Sequence, residues 1–340
     1  MEDAANDMIR VVVAMDFSDE TIEQLRAISP RLHIERHFPN VPEQVWDDAE
    51  VLYTLNRFPD PSQAPRLRWI QLHFAGLDQA LKQPIVQAED VEVTTASGIH
   101  AVQMAEFCLA MMLAFTYKLP RLLQLQAKAE WPKRNEEVFN PRELRGQTLG
   151  IVGYGSVGRE LARQADALGM SVLATKRDVM HPAEEDQYVE PGTGDPSGDI
   201  PARLYPSPAL ISMAPECDFL VVTAPLTEAT RHMVNEDVLR AMKRTAILIN
   251  VSRGAVVDEA ALISALAAGT IAGAALDVFE EEPLPPTSPL WNLDNVIISP
   301  HISGNSARYY DKAAALFAEN LERYLNKRPL LNRLERKRGY

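Results

Sequence analysis

Near its start the chain carries an unbroken apolar, mostly β-branched run, "IRVVVAM" (9–15), the pattern of a strand buried on both faces of a parallel sheet. "SDETIEQLRAI" (18–28) follows, in which Ser18 or Asp19 caps a helix with Ile22, Leu25 and Ile28 on one side. Two more strand-like runs, "AEVLYTL" (49–55) and "LRWIQLHF" (67–74), continue the alternation of strand with helix or loop, which predicts a parallel sheet. "VEVTTASG" (91–98) leads into a long helical stretch from about His100, with Ala101, Met104, Ala105, Cys108, Met111, Met112 and Phe115 on one face. That helix is long enough to bridge two domains.

After Pro141 the pattern restarts with six strand-like runs, at 148–155, 170–176, 217–225, 246–252, 271–278 and 295–301, most of them separated by helical ones. This predicts a doubly wound dinucleotide fold. The stretch 181–208 is too rich in Pro and Gly for a regular element and reads as an ordered surface loop or flap. A last helix over 306–325 is expected to return to the first domain. A chain of 340 residues exceeds what one core normally fills, so two domains are the default.

Composition narrows the function classes. With 46% hydrophobic and 24% charged residues and a formal charge of −13, the composition argues against a broad nucleic-acid or anionic-membrane surface. Any anionic ligand must be met by a local site. The two cysteines, Cys108 and Cys217, lie in apolar surroundings and form neither a disulfide framework nor a metal cluster; two inert buried thiols and no metal are expected. The acidic start "MEDAANDMIR" is unlike a signal peptide, and the most apolar helical run, 107–115, is far shorter than a membrane span, so the expected location is cytoplasmic. The basic close "NRLERKRGY" reads as a solvated terminus.

Chemistry enters at "GYGSVG", where Gly153, Gly155 and Gly158 follow a strand and open a helix. The first permits a tight turn, the second a close approach of pyrophosphate to the backbone, and the third close helix packing. At the end of the next strand, "ATKRD" (174–178) offers Thr175, Lys176 and Arg177 where an NAD site usually has a carboxylate. That favours NADP over NAD. Solvated charges at Lys176 and Arg177, or Asp178 acting as the missing acid, are the alternatives. Further polar residues fall at strand ends: Arg253 in "NVSRGAVVDE", Asp277 and the acidic run 280–282 in "ALDVFEEEPLPP", and His301 in "ISPHISGN".

In order, spacing and flanking residues these motifs resemble the D-isomer-specific 2-hydroxyacid dehydrogenase family, from "HFAGLD" to the final helix. The resemblance implies two Rossmann-like α/β domains. A dinucleotide-binding domain (119–301) would be inserted in a smaller flavodoxin-like substrate domain (1–118 and 302–340). It implies a homodimer, and an enzyme interconverting a 2-keto acid and a D-2-hydroxy acid, working as a reductase of glyoxylate, hydroxypyruvate or a related 2-keto acid. Its catalytic residues carry over as Arg253, Glu282 and His301. Imidazole titrates near neutrality and suits a proton donor to the carbonyl oxygen; a carboxylate on its other nitrogen favours the imidazolium and fixes the ring. A guanidinium fork suits the substrate carboxylate and carbonyl. The family's substrate loop matches Phe74, Ala75 and Gly76, while His73 and His100 read as supporting residues. For the cofactor the resemblance adds Ser156 and Val157 at the pyrophosphate, Ala224, Pro225 and Thr230 on the adenosine side, Asp277 at the nicotinamide carboxamide, and Val251 and Gly304. Formate dehydrogenases carry Gln before the proline where this chain has Glu282. Phosphite dehydrogenases keep the same three residues, and corepressor-like dinucleotide sensors share fold and triad; both stay open as alternatives.

Overall fold

The first apolar run forms strand β1 (Ile9–Ala14), followed by helix α1 (Asp19–Arg26), which Ser18 caps by accepting the Thr21 N–H. Strands β2 (Leu32–Arg36), β3 (Val51–Thr54) and β4 (Trp69–Leu72), the short helix α2 (Pro84–Gln87) and strand β5 (Glu92–Thr94) complete the first stretch. All pairings are parallel and the order is β2-β1-β3-β4-β5, the flavodoxin-like arrangement. Val11 and Val13 pack with Ile34, Val51 and Tyr53 on one face, and Val12 and Ala14 with Leu52 and Ile70 on the other. Covered faces on both sides explain why β1 shows no alternation. Strand β2 has no counterpart in the pattern reading. It is an edge strand with only Leu32 and Ile34 buried, too few apolar positions to stand out.

The second sheet belongs to a unit that starts with helices α3 (Ala101–Thr116) and α4 (Leu119–Ala127), bent by 63° at the break between them. Then come β6 (Thr148–Val152), α5 (Ser156–Ala167), β7 (Ser171–Lys176), β8 (Arg203–Pro206), α6 (Leu210–Met213) and β9 (Phe219–Val222). Helix α7 (Glu236–Ala241), β10 (Ile247–Asn250), α8 (Glu259–Ala267), β11 (Gly273–Leu276) and β12 (Val296–Ile298) follow. The seven strands are parallel in the order β12-β11-β10-β9-β6-β7-β8. The chain leaves β6 in one direction and returns on its other side as β9, which creates the crevice where such sheets bind ligands. Helix α9 (Tyr309–Leu325) returns to the first sheet, its Phe317 and Leu321 packed among the residues of β1 and β3.

The structure is a computed structural model that describes residues 8–77, 79–132, 140–183 and 186–336. It divides into two compact units, Met1–Ile99 with Glu185–Tyr188 and Ser306–Tyr340, and His100–Glu184 with Val189–Asn305. These bounds differ from the expected 1–118/119–301/302–340. Helix α3 is why: its Ala105, Cys108 and Met112 pack with Leu161, Ala162 and Ala165 of α5, so it belongs to the second unit instead of bridging.

Two further expectations need correction. The 181–208 stretch contains a regular element after all, since β8 pairs with β7 from Leu173↔Arg203 to Lys176↔Pro206. Edge position lets it end on a proline. The basic close is not simply solvated either: Leu334 N–H donates to Val93 O at 2.7 Å and Arg336 donates to the carbonyls of Val86 and Ala88. Residues 1–7 and 337–340, on which the reading of the two termini partly rests, lie outside the described residues, as does Asp78 of "FAGLD". Cys108 and Cys217 are both free and buried, and burial pushes the Cys217 thiol up to about 12. Among the described residues no single helix is long and apolar enough to cross a membrane.

Candidate active site

A dinucleotide seat is built where β6 ends. Gly153 has φ +97°, and a Cβ there would stand 2.7 Å from the Ala224 backbone, so glycine alone lets the turn after β6 lie against the segment after β9. Its N–H donates to Thr175 Oγ1 at 3.0 Å, and its carbonyl accepts from Thr223 Oγ1 at 2.7 Å. A Cβ on Gly158 would lie 2.7 Å from Gly153 O, which is the close packing expected of the third glycine. Gly155 faces open space and precedes Ser156 and Val157, the first residues of α5. Room beside a helix N-terminus is what a pyrophosphate requires.

The end of β7 differs in part from expectation. Thr175 is buried and its hydroxyl holds Gly153, so it supports the glycine turn and does not face outward with Lys176 and Arg177. Asp178 is engaged elsewhere: it accepts the Met180 N–H at 3.0 Å and meets His181 Nδ1 at 2.8 Å, and that imidazole contact holds its carboxyl below the usual range. The following insertion is fastened to the fingerprint itself. Tyr154 Oη donates to Asp195 Oδ2 at 2.6 Å, Arg159 donates to the carbonyls of Asp195 and Pro182, and Gly194 N–H donates to Glu160 at 2.7 Å. On the expected adenosine side, Thr230 Oγ1 donates to Pro225 O at 2.6 Å and accepts the Thr227 N–H, closing that loop on itself beside the buried Ala224. Val251 is a buried core residue at the end of β10.

The acidic run resolves into distinct partners. Glu282 Oε2 lies 2.8 Å from His301 Nδ1, and its other oxygen accepts the Phe279 N–H at 3.0 Å. Glu280 instead contacts His232 at 2.7 Å. His301 sits at φ +54°, a left-handed conformation that costs a non-glycine residue about 1–3 kcal/mol. Asp277 supplies the compensation: it is fully buried, accepts Ser299 Oγ at 2.6 Å, Ile302 N–H at 2.9 Å and Ser303 N–H at 2.8 Å, and its carbonyl accepts the His301 N–H at 2.9 Å. Arg253 is extended, and Asn250 Nδ2 donates to its carbonyl at 3.1 Å. A Cβ on the next residue, Gly254, would fall 1.9 Å from Phe279 C, so the glycine of "SRG" presses the Arg253 loop onto the segment that carries Glu282. Gly304 is met by His100, whose Nδ1 lies 3.3 Å from its carbonyl oxygen.

The substrate loop of the first unit follows β4. Its shape is fixed by His73 N–H to Thr54 O at 2.8 Å, Ala96 N–H to Phe74 O at 3.1 Å and Tyr309 Oη to His73 O at 2.9 Å. Tyr53, whose phenol burial raises well above its ordinary range, meets His73 Nδ1 at 2.7 Å. Phe74 is exposed, and the Ala75 and Gly76 amides make no backbone hydrogen bond to another described residue.

The NAD-binding-domain model of the D-isomer-specific 2-hydroxyacid dehydrogenases matches residues 109–303, more than half of the chain. The chain belongs to the D-isomer-specific 2-hydroxyacid dehydrogenase family. A glyoxylate reductase from Korarchaeum cryptofilum (strain OPF8) is 35% identical over 283 residues, 81% of this chain and 79% of that protein. Among solved structures, a family member from Xanthobacter autotrophicus Py2 in complex with NADPH and MES has a TM-score of 0.79 at 28% identity, covering 98% of this chain and 100% of the other. The NADPH-dependent glyoxylate/hydroxypyruvate reductase from Sinorhizobium meliloti, solved with NADP and sulfate, gives 0.75 at 26% identity with the same coverage.

This 2-hydroxyacid dehydrogenase is therefore an NAD(P)-dependent oxidoreductase, and its residues fit the dinucleotide. Besides the open space at Gly155, the hydroxyl of Ser303 is buried with no hydrogen-bond partner among the described residues, next to Asp277 in the His301 turn. A buried orphan hydroxyl is costly unless a ligand completes it. Sequence reasoning missed Ser303. A serine between His301 and Gly304 carries no pattern of its own, and only burial marks it.

Proposed function

We propose that this dehydrogenase reduces a small 2-keto acid of the glyoxylate or hydroxypyruvate type to the D-2-hydroxy acid, with NADPH as the preferred donor. The observation that carries the reading is the 2.8 Å pair of His301 and Glu282 on a turn organised by buried Asp277. Bound NADPH supplies the hydride for the carbonyl carbon. His301 donates the proton to the carbonyl oxygen from Nε2, the nitrogen opposite the one that meets Glu282. Glu282 keeps the ring oriented through that 2.8 Å contact. Arg253 binds the substrate carboxylate and polarises the carbonyl.

Lys176 and Arg177 at the end of β7 support NADP, because Asp178 is occupied by His181. Two steady-state experiments test the proposal. A panel of glyoxylate, hydroxypyruvate and pyruvate is followed by loss of nicotinamide absorbance; turnover of none of them, with tight cofactor binding retained, favours a dinucleotide sensor. The ratio of kcat/KM for NADPH over NADH is expected to exceed one and to fall at least about tenfold in Lys176→Ala/Arg177→Ala, as loss of charge-assisted hydrogen bonds predicts. A ratio at or below one for the unmodified protein removes the NADP preference.

A further inference from the structure

The insertion after β7 has a foot in each compact unit. Residues 185–188 belong to the first unit, while 184 and 189 belong to the second. The chain therefore passes between the units at 99–100 and 305–306 and twice more inside this one insertion. A loop that only covers surface needs no such course.

In the first unit the foot is built around Asn332. This buried side chain accepts the Tyr188 N–H at 2.9 Å and donates to the carbonyls of Thr95 at 3.1 Å and Ser97 at 2.8 Å, and its backbone N–H donates to Asp186 O at 2.9 Å. The Tyr188 ring is buried with Ala96, Ile99 and Leu316. Gly98, at φ +93°, makes room for the Tyr188 carbonyl, since a Cβ there would fall 2.3 Å from its oxygen. The same elements hold the substrate loop: Ala96 N–H donates to Phe74 O at 3.1 Å, and Tyr309, packed against this cluster, donates to His73 O at 2.9 Å.

In the second unit the foot stands on the glycine fingerprint. Buried Asp195 accepts the Tyr154 hydroxyl at 2.6 Å and the N–H groups of Asp199 and Ile200 at 3.2 and 3.1 Å. Glu160, on α5 just past Gly158, accepts the Gly194 N–H at 2.7 Å. Only residues 189–193 separate the two feet, and Thr193 folds them into a turn by donating its N–H and its hydroxyl to Glu190 O at 3.1 and 2.7 Å. A short, internally bonded link has little slack, so order gained at one foot restricts the other.

We propose that this insertion couples the dinucleotide seat to the substrate loop. Filling the seat orders residues 154–160, and through 186–195 it orders the backbone that holds residues 73–76. The inference rests on the reading of 73–76 as the substrate loop and adds a consequence to it: cofactor strengthens keto-acid binding, and the keto acid strengthens cofactor binding by the same factor.

Hydrogen exchange of the full chain, read by mass spectrometry, tests the coupling, with ADP-ribose or its 2′-phosphate, whichever binds more tightly, as the probe. Neither carries the nicotinamide ring, and no turnover is required, so the outcome is independent of the keto-acid reading and of the choice between NADP and NAD. At saturation, exchange is expected to slow at least about threefold in peptides covering 154–160 and 186–195 and in those containing His73 and Ala96, whose N–H groups donate to Thr54 O and Phe74 O. In Asp195→Ala the slowing at 154–160 should remain, while that at His73 and Ala96 is lost. Unchanged exchange at His73 and Ala96 in the unmodified protein with its seat filled overturns the proposal, as does slowing there that survives Asp195→Ala intact. Failure of both probes to bind removes the seat and the proposal together. If Asp195→Ala does not fold, Tyr154→Phe replaces it, removing only the hydroxyl that joins the fingerprint to Asp195. The slowing at His73 and Ala96 should then fall by at least about half, and undiminished slowing is equally fatal.

Discussion

Two glutamate–histidine pairs arise from one acidic run. Glu282 meets His301 at 2.8 Å and Glu280 meets His232 at 2.7 Å, both histidines have positive φ (54° and 51°), and the side-chain exposures are similar, 46%/35% against 41%/39%. Distance, burial and backbone strain therefore do not separate them. Their supports do. His301 stands on a turn tied by four hydrogen bonds to Asp277, just past the carboxyl ends of β11 and β12, with the orphan Ser303 hydroxyl beside it. His232 lies in the loop between β9 and α7 and its N–H donates to Ala255 O. A histidine–carboxylate pair has catalytic use only where the fold also builds a place for the reacting atoms.

The sharpest way to break this comparison is His301→Ala. General acid catalysis contributes about 10²- to 10⁴-fold, so kcat for keto-acid reduction is expected to fall by that order while the Kd for NADPH stays within a few-fold. A kcat near that of the unmodified enzyme would remove His301 from the mechanism. Glu282→Gln comes next. A charge-assisted hydrogen bond is worth about 1.5–3 kcal/mol, and exposure above a third reduces that, so a loss of roughly tenfold in kcat is expected. Equal losses from Glu280→Gln and Glu282→Gln would show that the two pairs are not functionally distinct.

Gly254→Ala probes the scaffold both pairs share. The new Cβ has the Phe279 backbone in its way at 1.9 Å, so the 279–282 segment must shift, and overpacking of this kind costs about 1–3 kcal/mol of stability. Denaturant unfolding is expected to show that loss together with a lower kcat, because the displaced segment carries Glu282. Unchanged stability would mean that the loop moves aside freely.

How much of this was legible in the sequence follows from where the information sits. The first and third glycines of the fingerprint are readable because each answers a local steric demand, visible as the contacts a Cβ would make at Gly153 and Gly158. Arg253, Glu282 and His301 stand out as candidates because strand ends punctuate the hydrophobic pattern, while the preference for Glu282 over Glu280 rests on resemblance. Two edge strands escaped: β2 buries too few apolar residues, and β8 ends on a proline within a Gly- and Pro-rich stretch. Sequence position assigns Thr175 to the phosphate, whereas its hydroxyl serves the glycine turn, because a strand residue's facing depends on register, here Val152↔Thr175. The hydrogen bonds that Asp277 makes to the His301 turn connect residues more than twenty positions apart, beyond the reach of any local pattern.

The smallest expected effect is the most discriminating. His232→Ala removes an imidazole that is as close to its glutamate as His301 is, yet a partly exposed ion pair contributes only about 0–1 kcal/mol. Keto-acid reduction by His232→Ala is therefore expected to stay within about twofold of the unmodified enzyme in both kcat and KM, and stability within that energy. Glu280 N–H also donates to Glu259 at 3.0 Å, an anchor that holds the start of the acidic run when the imidazole is gone. If His232→Ala instead loses tenfold or more in kcat, the support at Asp277 is not what distinguishes the pairs, and the acidic run acts through both histidines.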